Sequence, residues 1–71
     1  MSEEVLAPMA GKIIKMNIEV GTEVEEDEEI IIIEAMKMET PIFAPCDGKI
    51  TKILKKEGDE IEEDDQIAII E

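Results

Sequence analysis

Lys37 is the residue best equipped to carry chemistry. It stands in the run Glu34-Ala35-Met36-Lys37-Met38 and is the only lysine between Lys15 and Lys49. Its primary amine can be acylated. A lysine amine is protonated at neutral pH, however, and attacks a carbonyl only after losing that proton. The chain offers little to take it. There is no His, Arg, Tyr or Trp, and Ser2 is the only serine. Acid–base catalysis near neutral pH draws mostly on His or on carboxyl groups tuned by burial. Acylation of Lys37 therefore requires a separate enzyme that removes the proton and supplies an activated acyl group. No catalytic residue is read in this chain, and no metal site. The acidic runs 25–29 and 62–65 lack the ligand spacing of a calcium loop and read as solvated turns.

Composition narrows the classes further. Seventy-one residues suit one small domain with little room for an enclosed cleft. The formal net charge is -13 and Phe43 is the only aromatic residue. Nucleic-acid binding wants a basic face with stacking aromatics, so that class is excluded. Phosphate binding wants Arg or a glycine-rich loop, and neither is present. The apolar share of 44% is too high for a disordered acidic tail. Much of it is Ile and Val, which favour strands. Cys46 is alone, so it has no intrachain disulfide partner, and it reads as a small turn residue. The first residues lack a basic segment followed by an apolar run, so no signal peptide is expected. The longest strictly apolar runs, 30–33 and 67–70, are too short to span a bilayer. No membrane insertion and a cytoplasmic location are expected.

The element that must position Lys37 emerges from an internal repeat. Offset by 37 residues, segment 7–34 falls on 44–71 without a gap, with 15 identities in 28 positions. Ala7-Pro8 meets Ala44-Pro45, and Gly11-Lys12-Ile13 meets Gly48-Lys49-Ile50. Neither copy is long enough to bury its own apolar face, so the two must share one core. Each reads as four short strands: 4–7, 12–18, 23–25 and 29–34, then 38–44, 49–56, 60–62 and 66–71. Pro8 with Gly11, Gly21-Thr22, Pro45 with Gly48, and Gly58-Asp59 mark turns, where Gly is expected to supply positive φ. The shared apolar positions 13/50 and 16/53 are three apart, which calls for a bulge or strong twist. The stretch 23–29 also reads as a helix start, but four consecutive isoleucines after it argue against a helix. Short strands with regular turns suggest a sandwich or barrel with pseudo-twofold symmetry. The copies join at residues 35–38, so Lys37 belongs at the tip of a tight hairpin, with small Ala35 behind it and a Met on each side.

The run Glu34-Ala35-Met36-Lys37-Met38 resembles the biotinylation motif of biotin carboxyl carrier domains. Glu39-Thr40, Ala44-Pro45 and Asp47-Gly48 are similar to that family too, so the resemblance covers nearly the whole chain. It implies an all-β flattened barrel of two four-stranded antiparallel sheets, the biotinyl/lipoyl fold, with residues 1–71 as a single biotinyl domain. It implies that Lys37 carries biotin through an amide made by a biotin protein ligase. Glu34, Ala35, Met36 and Met38 would flank that site, and the two methionines would meet the ligase and the carboxylase sites. It further implies a carrier without catalysis of its own, which shuttles a carboxyl group between a biotin carboxylase and a carboxyltransferase or decarboxylase subunit. Two departures stand out. The Gly that the family often places before its fourth strand is absent, so Asp27 and Asp64 must make those turns. The gapless repeat also leaves no room for the protruding loop of some acetyl-CoA carboxylase carriers. That favours the type found in pyruvate carboxylase, in oxaloacetate and methylmalonyl-CoA decarboxylases, and in transcarboxylase.

Two other readings compete. A lipoyl carrier of a 2-oxo acid dehydrogenase complex would share the fold, but such domains typically place an acidic residue before the lysine and Ala after it, where this chain has Met36 and Met38. An unmodified acidic module that binds a partner differs only in its modification state. An acyl carrier protein is excluded, because Ser2 cannot serve as its phosphopantetheine-bearing serine.

Overall fold

The computed structural model describes residues 2–71 and contains eight strands and no helix among them. They are β1 (Glu3–Leu6), β2 (Gly11–Met16), β3 (Glu23–Val24), β4 (Glu29–Ala35), β5 (Met38–Phe43), β6 (Gly48–Ile53), β7 (Glu60–Ile61) and β8 (Gln66–Ile70). They form two four-stranded antiparallel sheets, β1-β8-β6-β3 and β5-β4-β2-β7. Each sheet draws two strands from each half of the chain. Strand exchange of this kind is how two short halves come to share one core. The isoleucine-rich runs supply that core: Ile13, Ile30, Ile31, Ile33, Ile50, Ile67 and Ile70 are fully buried, with Val5. No polar side chain is buried among the described residues.

The three-residue spacing of the apolar positions has the expected cause. The β2–β4 register slips between Ile13 and Lys15, and the β6–β8 register slips at the equivalent place, between Ile50 and Lys52. One extra residue per strand, Ile14 and Thr51, restores Met16 and Ile53 to the inner side.

Four turns share one construction: residues 19–22, 25–28, 56–59 and 62–65. In each, the fourth residue's N–H donates to the first residue's carbonyl at 3.0 Å. The fourth side chain then accepts the first residue's N–H at 2.8 to 3.0 Å. The third residue has positive φ, as a type II turn demands: Gly21, Asp27, Gly58 and Asp64. Asp27 (φ 68°) and Asp64 (φ 69°) thus take the glycine's place. The acidic runs are these turns, and Glu28 and Asp65 are their capping carboxylates.

Three expectations need correction. The strands expected over 12–18 and 49–56 end at Met16 and Ile53. Ile18 is still buried, so the apolar pattern outruns the hydrogen-bonded ladder. Gly11 is not a positive-φ turn residue; it opens β2. Its conservation between the two halves has another cause, close approach: a Cβ on Gly11 would lie 2.5 Å from the Glu34 carbonyl oxygen. Gly48 meets the matching constraint, with a Cβ there 2.8 Å from the carbonyl oxygen of Glu71.

Candidate functional site

The β4–β5 hairpin closes on the pair Ala35↔Met38, leaving Met36 and Lys37 as its entire loop. Both have positive φ, 54° and 64°. That is the requirement of a type I′ turn, whose twist matches the strands it joins. Such turns normally use Asn-Gly or Gly-Gly, because an L-residue in the left-handed region costs about 1–2 kcal/mol. The hairpin holds two ordinary side chains there instead, and strain of this sort concentrates where function needs it.

The result is a lysine on a short, defined pedestal. Lys37 is exposed, Met36 is 87% exposed and Met38 is 68% exposed. Ala35 is buried at the base of the hairpin. Gly11 of β2 lies directly beneath, and a Cβ on it would also come within 3.2 Å of the Ala35 side chain. The two small residues let β2 and β4 approach closely at the site where the turn must be held. Sequence reasoning found Ala35 and missed this role of Gly11. The available signal was its recurrence as Gly48 beside the matching strand end.

Below the tip, one row of residues crosses the outer face of the sheet. Glu39 lies opposite Glu34, Glu34 opposite Lys12, and Lys12 opposite Glu60. All four are exposed. Two carboxylates directly opposite each other are mildly destabilising, and the neighbouring Lys12 ammonium offsets part of that. A shallow open depression of about 720 Å³ lies beside the stem, lined in part by Gly11, Lys12, Glu34 and Glu60. It is too open to sequester a reaction from water, and no set of three or more metal-ligating side chains occurs among the described residues.

The sequence-derived site residues are therefore brought together as one unit: Glu34, Ala35, Met36, Lys37 and Met38 form the tip and the first residue below it. Cys46 stands apart, packed against the core. Partial burial raises its thiol pKa, and the carboxylates of Glu3, Asp47 and Glu26 add to the effect. Little of it is a reactive thiolate at neutral pH.

Comparison with known proteins gives a consistent result. Residues 3–70 match the family model described as biotin-requiring enzyme. The propionyl-CoA carboxylase alpha chain of Ruegeria pomeroyi is 53% identical over 38 residues, 54% of this chain and 6% of the relative. The gamma subunit of glutaconyl-CoA decarboxylase from Acidaminococcus fermentans is 46% identical over 41 residues, 58% of this chain and 28% of the relative. The urea carboxylase of Kluyveromyces lactis superposes with a TM-score of 0.89 at 40% identity, over 99% of this chain and 6% of that one. The chain thus spans a small part of the length of each of these relatives.

Proposed function

The chain belongs to the biotin-requiring enzyme family as a biotin carrier domain with covalently attached biotin, and on that premise we propose that Lys37 is the attachment point and that residues 1–71 act as one non-catalytic carrier unit. The observation that carries this is the tip itself. An exposed amine stands on a two-residue loop whose backbone is held left-handed between two exposed methionines.

The residues fit the group. Biotin ends in a carboxyl group, and an amide is the bond an exposed lysine amine can make with it. A biotin protein ligase removes the ammonium proton and presents biotin with its carboxyl activated. The Lys37 nitrogen attacks that carbonyl, the C–N bond forms, and the activating group leaves with the bonding electrons. Once bound, biotin supplies the ring nitrogen that accepts a carboxyl group and gives it up again. The protein's share is placement. The I′ turn fixes the direction in which the arm leaves the barrel, Ala35 and Gly11 hold the turn on the sheet, and Met36 and Met38 give the ligase and the partner sites an apolar grip. Tethering raises the arm's effective concentration at each station.

The partners this reading implies are a biotin carboxylase, which would load the arm from bicarbonate and ATP, and a carboxyltransferase or decarboxylase subunit, which would unload it, with the cytoplasm as the compartment. A lipoyl role is not favoured. The three relatives named above are two carboxylases and a decarboxylase, and the methionines flank the lysine where lipoyl domains typically carry an acidic residue and Ala.

The test is modification in vitro. The chain is incubated in parallel with a biotin protein ligase plus biotin and with a lipoyl ligase plus lipoate, each with ATP, and then analysed by intact-mass spectrometry and peptide mapping. One biotinyl increment on the peptide containing Lys37 is expected, with no lipoyl increment. A lipoyl increment alone, or no increment on folded protein, would overturn the proposal.

A further inference from the structure

The two sheets of this barrel are built from equivalent residues, so each serves as a control for the other. Across the outer face of one sheet, Pro41 of β5 lies opposite Ile32 of β4, and Ile32 lies opposite Lys15 of β2. The matching row of the other sheet is Glu4, Ile69 and Lys52. The bulge residue beside each lysine is Ile14 in the first case and Thr51 in the second. The residue two beyond Pro41 is Phe43, 52% exposed, and the residue two beyond Glu4 is Leu6, 39% exposed. One sheet thus carries an outer strip of Ile14, Ile32, Pro41 and Phe43. The other carries Thr51, Ile69, Glu4 and Leu6, with Thr51 hydrogen-bonded to the Glu71 carboxylate at 3.3 Å and Glu4 bonded to Gln66.

Folding alone does not explain the difference. The sheet with Glu4 and Thr51 has the same register, the same bulge and the same buried core partners. Edge protection does not explain it either. Pro41 and Glu4 both discourage strand addition at an edge, but Ile14 lies on β2, an inner strand. Two apolar side chains, Ile14 and Pro41, stand on one face where the equivalent positions of the other are Thr51 and Glu4, and they join Ile32 and Phe43 into a longer apolar strip, the mark of a contact surface.

The charges around the strip bear on its occupant. Glu34 and Glu39 border it on the side of the Lys37 hairpin, with Lys12 opposite Glu34; Glu29 lies opposite Phe43 at the other end, and Lys15 lies opposite Ile32, so carboxylates outnumber lysines three to two at the strip of a strongly acidic chain. With a net charge of -13, a second copy, an anionic membrane and a nucleic acid are all repelled. A basic protein surface with an apolar centre is complementary. Among the enzymes the carrier visits, the one that binds ATP and bicarbonate must present a cationic mouth to hold those anions.

Resting on the carrier reading above, we infer that the β5-β4-β2 outer face, through Ile14, Ile32, Pro41 and Phe43, is the surface by which the domain docks on its biotin carboxylase. The strip starts roughly 10 Å down β5 from the tip, at about 3.4 Å per residue, so docking there would leave the hairpin free to enter the site.

The experiment exchanges residues between faces. The double variant Ile14→Thr/Pro41→Gln puts uncharged polar side chains where the other sheet carries Thr51 and Glu4, so that the acidic surroundings are unchanged, and Glu4→Gln serves as the control on the opposite face. Each chain is biotinylated with ligase and titrated into an isolated biotin carboxylase with saturating ATP and bicarbonate. The double variant should accept biotin as well as the unaltered chain, because the tip is unchanged. Its KM as substrate should rise roughly tenfold or more with kcat unchanged, the scale expected for two lost apolar contacts. Glu4→Gln should leave KM within twofold. An unchanged KM for a folded double variant would overturn the inference. So would sedimentation showing that the unaltered chain dimerises and the variant does not, since the strip would then face a second copy. Failure of the unaltered chain to accept biotin would instead remove the carrier reading, and this inference with it.

Discussion

At the scale of single residues, the hairpin turn that carries Lys37 is a place where local preference has been overruled. Met36 and Lys37 both sit at positive φ, and neither is a residue that favours it. Replacing Met36 with Gly relieves about 1–2 kcal/mol of backbone strain and returns about 0.5–1 kcal/mol in chain entropy. Met36→Gly should therefore raise the denaturant midpoint by an amount worth about 0.5–1 kcal/mol, read by chemical unfolding. A lowered midpoint would show that the methionine side chain contributes more to the folded state than its 87% exposure suggests. The place of Lys37 at a hairpin tip was legible from sequence because the repeat has a junction and the junction has one lysine. The left-handed geometry of Asp27 and Asp64 was legible too, because a tight turn with no glycine leaves Asp as the residue that tolerates it best.

At the scale of elements, sequence spacing revealed the strands and the bulges better than it revealed strand ends. The ladder of β2 stops at Met16, while burial continues to Ile18. Apolar periodicity reports burial, and burial does not require a ladder hydrogen bond. Gly11 illustrates a second blind spot. A glycine used for positive φ and a glycine used for close approach are the same letter, and only the position of β4 distinguishes them. Gly11→Ala should destabilise the barrel by about 1–3 kcal/mol, since the new methyl meets backbone at Glu34 and cannot be accommodated by a side-chain rotation. The measurement is the thermal midpoint of the unmodified domain. A midpoint equal to that of the unaltered chain would mean that β2 and β4 can separate at no cost, and that their close approach does not hold the hairpin.

At the scale of the whole molecule, the sharing of one core between the two halves was implied by the repeat, but the sharing of each sheet and the order β1-β8-β6-β3 against β5-β4-β2-β7 were not readable from it. Pairing across halves depends on how two faces close over one core, which no single strand encodes. The net charge of -13 acts at this scale as well. With 20 acidic side chains on a chain of 71 residues, self-repulsion opposes the compact state and salt relieves it. The thermal midpoint should rise as sodium chloride is added at neutral pH, with most of the gain made by the point where the Debye length reaches about 8 Å. A midpoint that falls with added salt would mean that the lysines of β2 and β6 are held in net favourable pairs that screening weakens. The carrier account as a whole rests on one nitrogen atom. Its most direct test is the intact mass of the chain and of Lys37→Arg after co-expression with a biotin protein ligase. The expected result is one biotinyl increment per unaltered chain and none on Lys37→Arg, with both proteins folded. An increment that persists in Lys37→Arg would place the cofactor on another lysine and contradict the account.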